Sequence, residues 1–120
     1  MKILITGIKG YIGNSLKLKF QKKNKVFGIS SKTETLDYNR LFKKKIKPQV
    51  IFHCAGTGLV GVNKIPYQTH KKKNLKSTKK LIKFIKKIKL KKSIIVFLSS
   101  QAVYGKVFTN KIINMAFNLL

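Results

Sequence analysis

The chain opens with the stretch that decides its fold, KILITGIKGYIG at residues 2–13. Its apolar run from Ile3 to Ile5 predicts a short buried strand, because it lies too close to the N-terminus to belong to a long helix. Glycines follow at positions 7, 10 and 13, and from Tyr11 to Phe20 apolar residues recur at helical spacing. The stretch therefore predicts a strand, a glycine-rich turn and a helix in direct succession.

This turn has the features of a dinucleotide-binding turn. Gly7 allows a tight exit from the strand, Gly10 lets a pyrophosphate approach the backbone, and Gly13 lets the helix pack close to the sheet. At the helix N-terminus, Tyr11 and Ile12 offer backbone N–H groups and the positive end of the helix dipole to phosphates. The alternative is a glycine-rich turn that binds no ligand.

The spacing Gly-x-x-Gly-x-x-Gly, preceded by Thr6 and ending in Tyr11-Ile12-Gly13, resembles the extended short-chain dehydrogenase/reductase family. That family includes NAD-dependent epimerases and dehydratases of nucleotide sugars. The resemblance implies an α/β fold: a Rossmann-type, doubly wound parallel sheet with strands in the order of about 3-2-1-4-5. It also implies NAD or NADP as the cofactor and a nucleotide sugar as the substrate of an oxidoreductase-type site.

The composition limits the classes of protein to which the chain can belong. The chain has 120 residues and 43% hydrophobic residues, which suits one small domain. The single cysteine, Cys54, excludes an internal disulfide and fits a reducing compartment, so a cytoplasmic location is expected. The sequence holds no apolar run of about 18 residues, so no membrane span is predicted.

The formal net charge of +26 raises the question of a nucleic-acid partner. Of the 28 basic residues only Arg40 is an arginine, and the lysines are spread over every segment. Proteins that read bases or phosphates rely on arginine for bidentate contacts. We therefore expect non-specific binding at low salt and no specific nucleic acid. A basic nucleic-acid-associated protein remains an alternative.

The second strand, Val26 to Ile29, leads to the residues that choose between NAD and NADP. An acid commonly stands at this place and holds the ribose 2′-hydroxyl of NAD. Here the chain has Ser30, Ser31 and Lys32, which suit a 2′-phosphate. The sequence therefore slightly favours NADP.

Two residues are assigned to the adenine by the resemblance. In the family a short strand ends in an Asp followed by an apolar residue, and Asp37 with Tyr38 matches that place. The alternative for Asp37 is a helix cap for the segment Tyr38–Lys45. Both roles are compatible.

Pro48 to Gly56, PQVIFHCAG, resembles the family's P-D-V-V-I-H-x-A-A/G segment. The part from Val50 to Phe52 predicts a strand. Small residues at its end leave room for the ribose and pyrophosphate of the cofactor; Cys54, Ala55 and Gly56 are assigned to this site. We expect His53 to be a structural hydrogen-bonding residue, and the sequence shows no metal-ligand cluster.

Two later stretches complete the resemblance. A long helix is predicted from about Tyr67 to Lys89, and it contains Asn74-Leu75-Lys76-Ser77-Thr78, which resembles N-V-x-G-T with Ser77 in place of Gly. Asn74 is then the polar residue under the cofactor. A strand from Ile94 to Leu98 runs into SSQAVYG, residues 99–105, which resembles S-S-x-x-V-Y-G. Ser99 is assigned to the cofactor and Ser100 to the catalytic hydroxyl.

The family's Tyr-x-x-x-Lys pair is missing after Gly105. The one such pair in the chain, Tyr67 and Lys71, precedes the serine motif, and we reject it. We therefore interpret residues 1–105 as an incomplete NAD(P)-binding Rossmann domain and 106–120 as a tail unlike the family. The expected function is the cofactor-binding half of an epimerase, dehydratase or reductase of nucleotide sugars, truncated and inactive alone; the alternative is a non-catalytic dinucleotide-sensing module.

Overall fold

A computed structural model describes residues 1–57 and 66–99. Strands and helices alternate along this part of the chain. In order they are β1 (Lys2–Thr6), α1 (Tyr11–Phe20), β2 (Lys25–Ile29), α2 (Glu34–Lys43), β3 (Val50–His53), α3 (Tyr67–Lys87) and β4 (Ile94–Phe97). Ser100 and residues 106–120, with the predictions made for them, lie outside the described residues.

The four strands form one parallel sheet in the order β2-β1-β3-β4. In the register of the sheet, Leu4 of β1 lies between Phe27 of β2 and Ile51 of β3. The α/β, Rossmann-type parallel sheet predicted from sequence is thereby confirmed. Since the strands run parallel, their carboxyl ends meet at one edge, where open α/β sheets bind their ligands.

The predicted strand order needs one correction. The expected third strand, ending at Asp37, is absent from the described sheet, and its residues belong to α2. Four residues separate β2 from α2, and within them the Ser30 N–H and Thr33 hydroxyl donate to the Asp37 carboxylate. These bonds, and the two acids Glu34 and Asp37 in the first turn, favour a helix here. The observed order is the expected one without its outer strand 3.

Helices cover both faces of the sheet, as predicted. On one face α2 and α3 pack against the strands around a buried cluster: Leu4, Ile29, Tyr38, Leu41, Ile51, Leu81, Phe84 and Ile88. On the other face Phe20 of α1 stacks on Phe52 of β3, with ring centroids 5.4 Å apart. Within the two described ranges no helix is both long and apolar enough to cross a membrane.

Candidate functional site

The glycine turn lies at the carboxyl end of β1 and is fixed by backbone contacts. Gly7 has a φ of 69°, a conformation that side chains other than glycine rarely adopt. A Cβ at this position would also lie 2.9 Å from backbone atoms of Cys54 and Ala55. The Gly7 N–H donates to the Ile29 carbonyl at 2.9 Å, which ties the turn to the end of β2.

Gly13 brings the first helix onto this turn. A Cβ at Gly13 would lie 2.2 Å from the carbonyl oxygen of Gly7. The close contact predicted for this glycine is therefore made with the backbone of the turn. Gly10 is the N-cap of α1, and it contributes no side-chain cap to the first turn. The helix N-terminus thus meets the turn without a side chain between them.

A cavity of about 490 Å³ opens at this edge of the sheet. It lies above the carboxyl ends of β1, β2 and β3 and is bounded on one side by α3. Its lining residues are Gly7, Gly10, Ile29, Ser31, Glu34, Cys54, Ala55, Gly56, Thr57, Lys73, Asn74, Lys76, Ser77 and Lys80.

Seven residues assigned to the cofactor from sequence line this cavity: Gly7, Gly10, Ser31, Cys54, Ala55, Gly56 and Asn74. The other residues assigned to the cofactor lie within the described ranges but do not line the cavity; they are Tyr11, Ile12, Gly13, Ser30, Lys32, Asp37, Tyr38 and Ser99. Tyr11 is 91% exposed at the start of α1, and Ser30 is buried below the turn into α2. The fold also brings to the lining Glu34, Thr57 and three lysines of α3, which no sequence motif had marked as site residues.

A chain of hydrogen bonds through His53 connects α3 with β1 and with the loop after β3 at the base of the cavity. The Thr78 hydroxyl donates to the Asn74 carbonyl at 3.0 Å, so its oxygen accepts from His53 Nε2 at 3.0 Å. The neutral ring then accepts at Nδ1 from the Thr6 hydroxyl, at 2.7 Å. Thr6 Oγ1 in turn accepts the Ala55 N–H, at 3.1 Å.

These hydrogen bonds explain why this histidine is structural. Burial lowers the pKa of His53, an effect that the negative charge of Glu34 opposes. The neutral ring is thus the form that suits both threonines. The expectation from sequence that His53 is a structural hydrogen-bonding residue agrees with these contacts.

Asn74 fixes the next part of the floor. Its side-chain oxygen accepts the Thr57 N–H at 2.8 Å, and its amide donates to the Thr57 carbonyl at 3.4 Å. The Thr57 hydroxyl also lies 2.8 Å from Nδ1 of His70. Residues 54–57 are therefore held at both ends, by Thr6 and by Asn74. Burial raises the pKa of the Cys54 thiol, which keeps it in the unreactive neutral form.

Asp37 braces the loop that precedes α2. One carboxylate oxygen accepts the Ser30 N–H at 3.0 Å and the Thr33 hydroxyl at 2.8 Å. The other lies 3.2 Å from Arg40. The alternative role of Asp37 as a helix cap is wrong, because α2 begins at Glu34 with Thr33 as its N-cap and Asp37 lies inside the helix. Its predicted contact with adenine stays a prediction.

Glu34 is the carboxylate that reaches the cavity. Its two oxygens accept from the Ser77 hydroxyl at 3.1 Å and from the Lys80 ammonium at 2.6 Å. These bonds join the start of α2 to α3. Glu34 is one of only two acidic residues in a chain of net charge +26, and that rarity is the signal by which sequence reasoning could have found it. Groups of three or more metal-ligand side chains are absent from the described residues.

Comparison with known proteins gives a family and a fold. The model of the NAD dependent epimerase/dehydratase family matches residues 3–116. No curated protein matches the chain significantly. UDP-glucose 4-epimerase from Bifidobacterium longum, crystallised with NAD+ and UDP, superimposes with a TM-score of 0.70 at 24% identity, covering 88% of this chain and 38% of that chain.

Two further crystal structures are similar. UDP-galactose 4-epimerase has a TM-score of 0.67 at 22% identity, covering 91% of this chain and 41% of that chain. UDP-glucuronic acid 4-epimerase from Bacillus cereus, in complex with NAD, has a TM-score of 0.60 at 26% identity, covering 88% and 42%. The chain thus spans well under half the length of these proteins.

Proposed function

The chain belongs to the NAD dependent epimerase/dehydratase family, and on this premise we propose that the cavity beside the glycine turn binds a nicotinamide dinucleotide. The observation that carries the proposal is the turn itself, in which Gly7 and Gly10 line the cavity directly before the N-terminus of α1. Backbone N–H groups and the helix dipole there attract a pyrophosphate. The glycines leave its approach free of side chains.

The remaining lining suits the same ligand. Gly56 is a third glycine in the lining, and Lys73, Lys76 and Lys80 outnumber Glu34, so the cavity favours an anion. The end of β2, with Ile29, would face the adenosine. When bound, the nicotinamide supplies hydride transfer. The described residues of this chain bind and orient the dinucleotide, with residues 54–57 held in place by Thr6 and Asn74.

A nucleotide sugar is the substrate class that we propose for the complete activity. The proposal follows from the family and from structural neighbours that are named as epimerases of UDP-sugars. The family's Tyr-x-x-x-Lys pair is not among residues 106–120. We propose that residues 1–120 bind the dinucleotide and do not turn over a sugar by themselves. The alternative is a non-catalytic dinucleotide-sensing module.

Replacing Gly10 with valine tests the binding site. The branched side chain would enter the space of the pyrophosphate, so NAD and NADP binding measured by calorimetry should be lost. Gly10 has a φ of −75°, which other residues adopt readily. A Cβ would lie 3.2 Å from the Gly7 carbonyl oxygen, a tight contact that needs a small local shift, so folding of the variant is measured directly.

The matched control is Asn14→Val, which places the same side chain on an exposed position of the same helix. It should bind the cofactor like the natural chain, and circular dichroism should show that both variants are folded. Unchanged affinity in a folded Gly10→Val protein would contradict the proposed function.

A further inference from the structure

A second cavity, here called the interhelical groove, lies between α2 and α3 beside the proposed cofactor site. Its volume is about 270 Å³, close to the lower end of the range for small-molecule sites. Each helix contributes four lining residues: Thr35, Tyr38, Asn39 and Phe42 from α2, and Lys80, Lys83, Phe84 and Lys87 from α3. Of these eight residues only Lys80 also lines the cofactor cavity, so the groove is a separate candidate site.

Aromatic side chains form the buried part of the groove. The rings of Tyr38 and Phe84 have centroids 5.1 Å apart and planes tilted by 39°, and both residues are buried. Phe42 is a third aromatic residue of the lining, and it is 38% exposed. Aromatic rings pack well against other rings in offset or tilted arrangements. The lining therefore favours a flat, apolar ligand group.

Lysines of α3 give the groove a positive charge. Lys80, Lys83 and Lys87 follow one another at helical spacing, so they lie on the same side of α3. The ammonium groups of Lys80 and Lys87 contact α2, at 2.6 Å from Glu34 and 3.9 Å from the centre of the Phe42 ring. Lys83 has no ion pair within the described residues. An anion in the groove would therefore find a cation that no carboxylate neutralises.

The hydroxyl of Tyr38 is a buried polar group without a partner. The residue is 8% exposed, and its hydroxyl makes no hydrogen bond to the described residues. Burial, and to a smaller extent the negative charge of Glu34, raises the pKa of this hydroxyl, so it stays protonated and can donate. A buried polar group without a partner lowers stability, and phenylalanine would fill the same space without that penalty. The hydroxyl therefore points to an acceptor that a ligand supplies.

We propose that the interhelical groove binds a small aromatic carboxylate. The ring of the ligand packs against Tyr38, Phe42 and Phe84. Its carboxylate accepts from the Tyr38 hydroxyl and pairs with Lys83. None of these four residues lines the cofactor cavity, so the proposal does not depend on dinucleotide binding.

Titration of the isotope-labelled full chain with cinnamate, followed by the backbone amide signals in NMR spectra, tests the proposal. Cinnamate should bind saturably, with the largest shifts in α2 and in the second half of α3. Cinnamamide has the same ring without the charge, so its affinity should be lower by about fivefold or more. Hexanoate has the charge without the ring and should also bind more weakly than cinnamate.

Two variants test the named contacts. Tyr38→Phe keeps the ring and removes only the hydroxyl, so the affinity for cinnamate should fall about tenfold while the free energy of unfolding stays equal or rises. Lys83→Gln, at an exposed position, should weaken cinnamate binding about fivefold. The matched control is Lys79→Gln, which removes the same charge from an exposed position of α3 outside the groove lining. Its affinity should stay within about twofold of the natural chain.

Four outcomes would overturn the proposal. The first is no saturable binding of cinnamate up to about 1 mM. The second is an affinity for cinnamate in both Tyr38→Phe and Lys83→Gln that matches the Lys79→Gln control. The third is a set of shifts concentrated at the glycine turn, which would place cinnamate in the cofactor cavity. The fourth is a lower free energy of unfolding in Tyr38→Phe, which would show that the hydroxyl serves the folded chain itself.

Discussion

At the scale of single residues, His53 shows how one buried ring can organise a binding floor. Its neighbours determine its tautomer: the proton of the Thr78 hydroxyl goes to the Asn74 carbonyl, so Nε2 of the ring must carry the other proton. Adding a second proton at Nδ1 would leave the Thr6 hydroxyl proton without its acceptor. Protonation of His53 therefore disfavours the hydrogen-bond arrangement in which Thr6 Oγ1 also accepts the Ala55 N–H.

The hydrogen bonds of His53 predict a pH dependence of stability. Burial lowers the pKa of His53 below its ordinary value of 6.5. Well above pH 6.5 the ring is neutral in both the folded and the unfolded chain, and the full contribution of its hydrogen bonds to the free energy of unfolding is present. As the pH falls below 6.5, the unfolded chain takes up the proton more readily, so the free energy of unfolding decreases until the folded pKa is passed.

Urea unfolding at pH 7.5 and pH 5.5 measures this effect. His53→Gln keeps one donor and one acceptor but does not titrate, so its unfolding free energy should change less between the two pH values. His70→Gln is measured in parallel to account for the other histidine of the chain. Equal changes in His53→Gln and the natural chain would show that His53 does not carry the linkage.

At the scale of elements, α2 is a helix whose beginning is determined by its own side chains. Asp37 lies one turn into the helix and accepts the Ser30 N–H and the Thr33 hydroxyl. The residue is only 9% exposed. The Ser30 N–H is buried, and such a donor is costly to leave without an acceptor. The loop between β2 and α2 therefore depends on a carboxylate that does not line the cavity.

Asp37→Ala should lower the free energy of unfolding by about 1–3 kcal/mol, the cost of leaving the buried Ser30 N–H unsatisfied. Urea unfolding at pH 7.5 gives the value, and Asn39→Ala, at an exposed position of the same helix, should change it by less than about 0.5 kcal/mol. Calorimetry on the folded variant tests the adenine contact predicted from sequence. A tenfold loss of NAD affinity without loss of stability would favour adenine binding over the structural role.

At the scale of the whole molecule, the chain corresponds to part of the length of its structural neighbours. It spans 38–42% of the length of the three similar epimerases. Ser100 matches the family's catalytic hydroxyl, and the tyrosines of the sequence stand at positions 11, 38, 67 and 104. None of them follows Gly105, where the family has its acid/base residue.

We therefore predict no turnover of nucleotide sugars by this chain alone. A positioned acid/base group contributes a rate factor of about 10²–10⁴. A sensitive assay for oxidation or reduction of the cofactor, with a panel of nucleotide sugars, provides the measurement. Multiple turnovers that disappear in both Ser100→Ala and Tyr67→Phe would contradict the prediction and would make Tyr67 and Lys71 the catalytic pair.

The sequence by itself determined the turn and the class of the sheet. Glycine at position 7 is required by a φ of 69°. Glycine at position 13 is required because a Cβ there would lie only 2.2 Å from the Gly7 carbonyl oxygen. Both requirements arise within one short turn, so the local sequence is enough to reveal them. The resemblance to the family predicted the parallel α/β fold. The short apolar runs and the helical spacing predicted where β1, β3 and α3 begin within a few residues.

Only the tertiary structure decided which charged side chains reach the cavity. Glu34 and Lys80 are 46 positions apart and meet because α2 and α3 pack side by side on the same face of the sheet. The rotation of a helix about its axis is set by burial of its apolar positions, such as Leu41 and Phe84, and not by the polar residues it carries along. The same packing placed Asp37 below the cavity and Ser31 beside it, although both lie within eight residues of the end of β2.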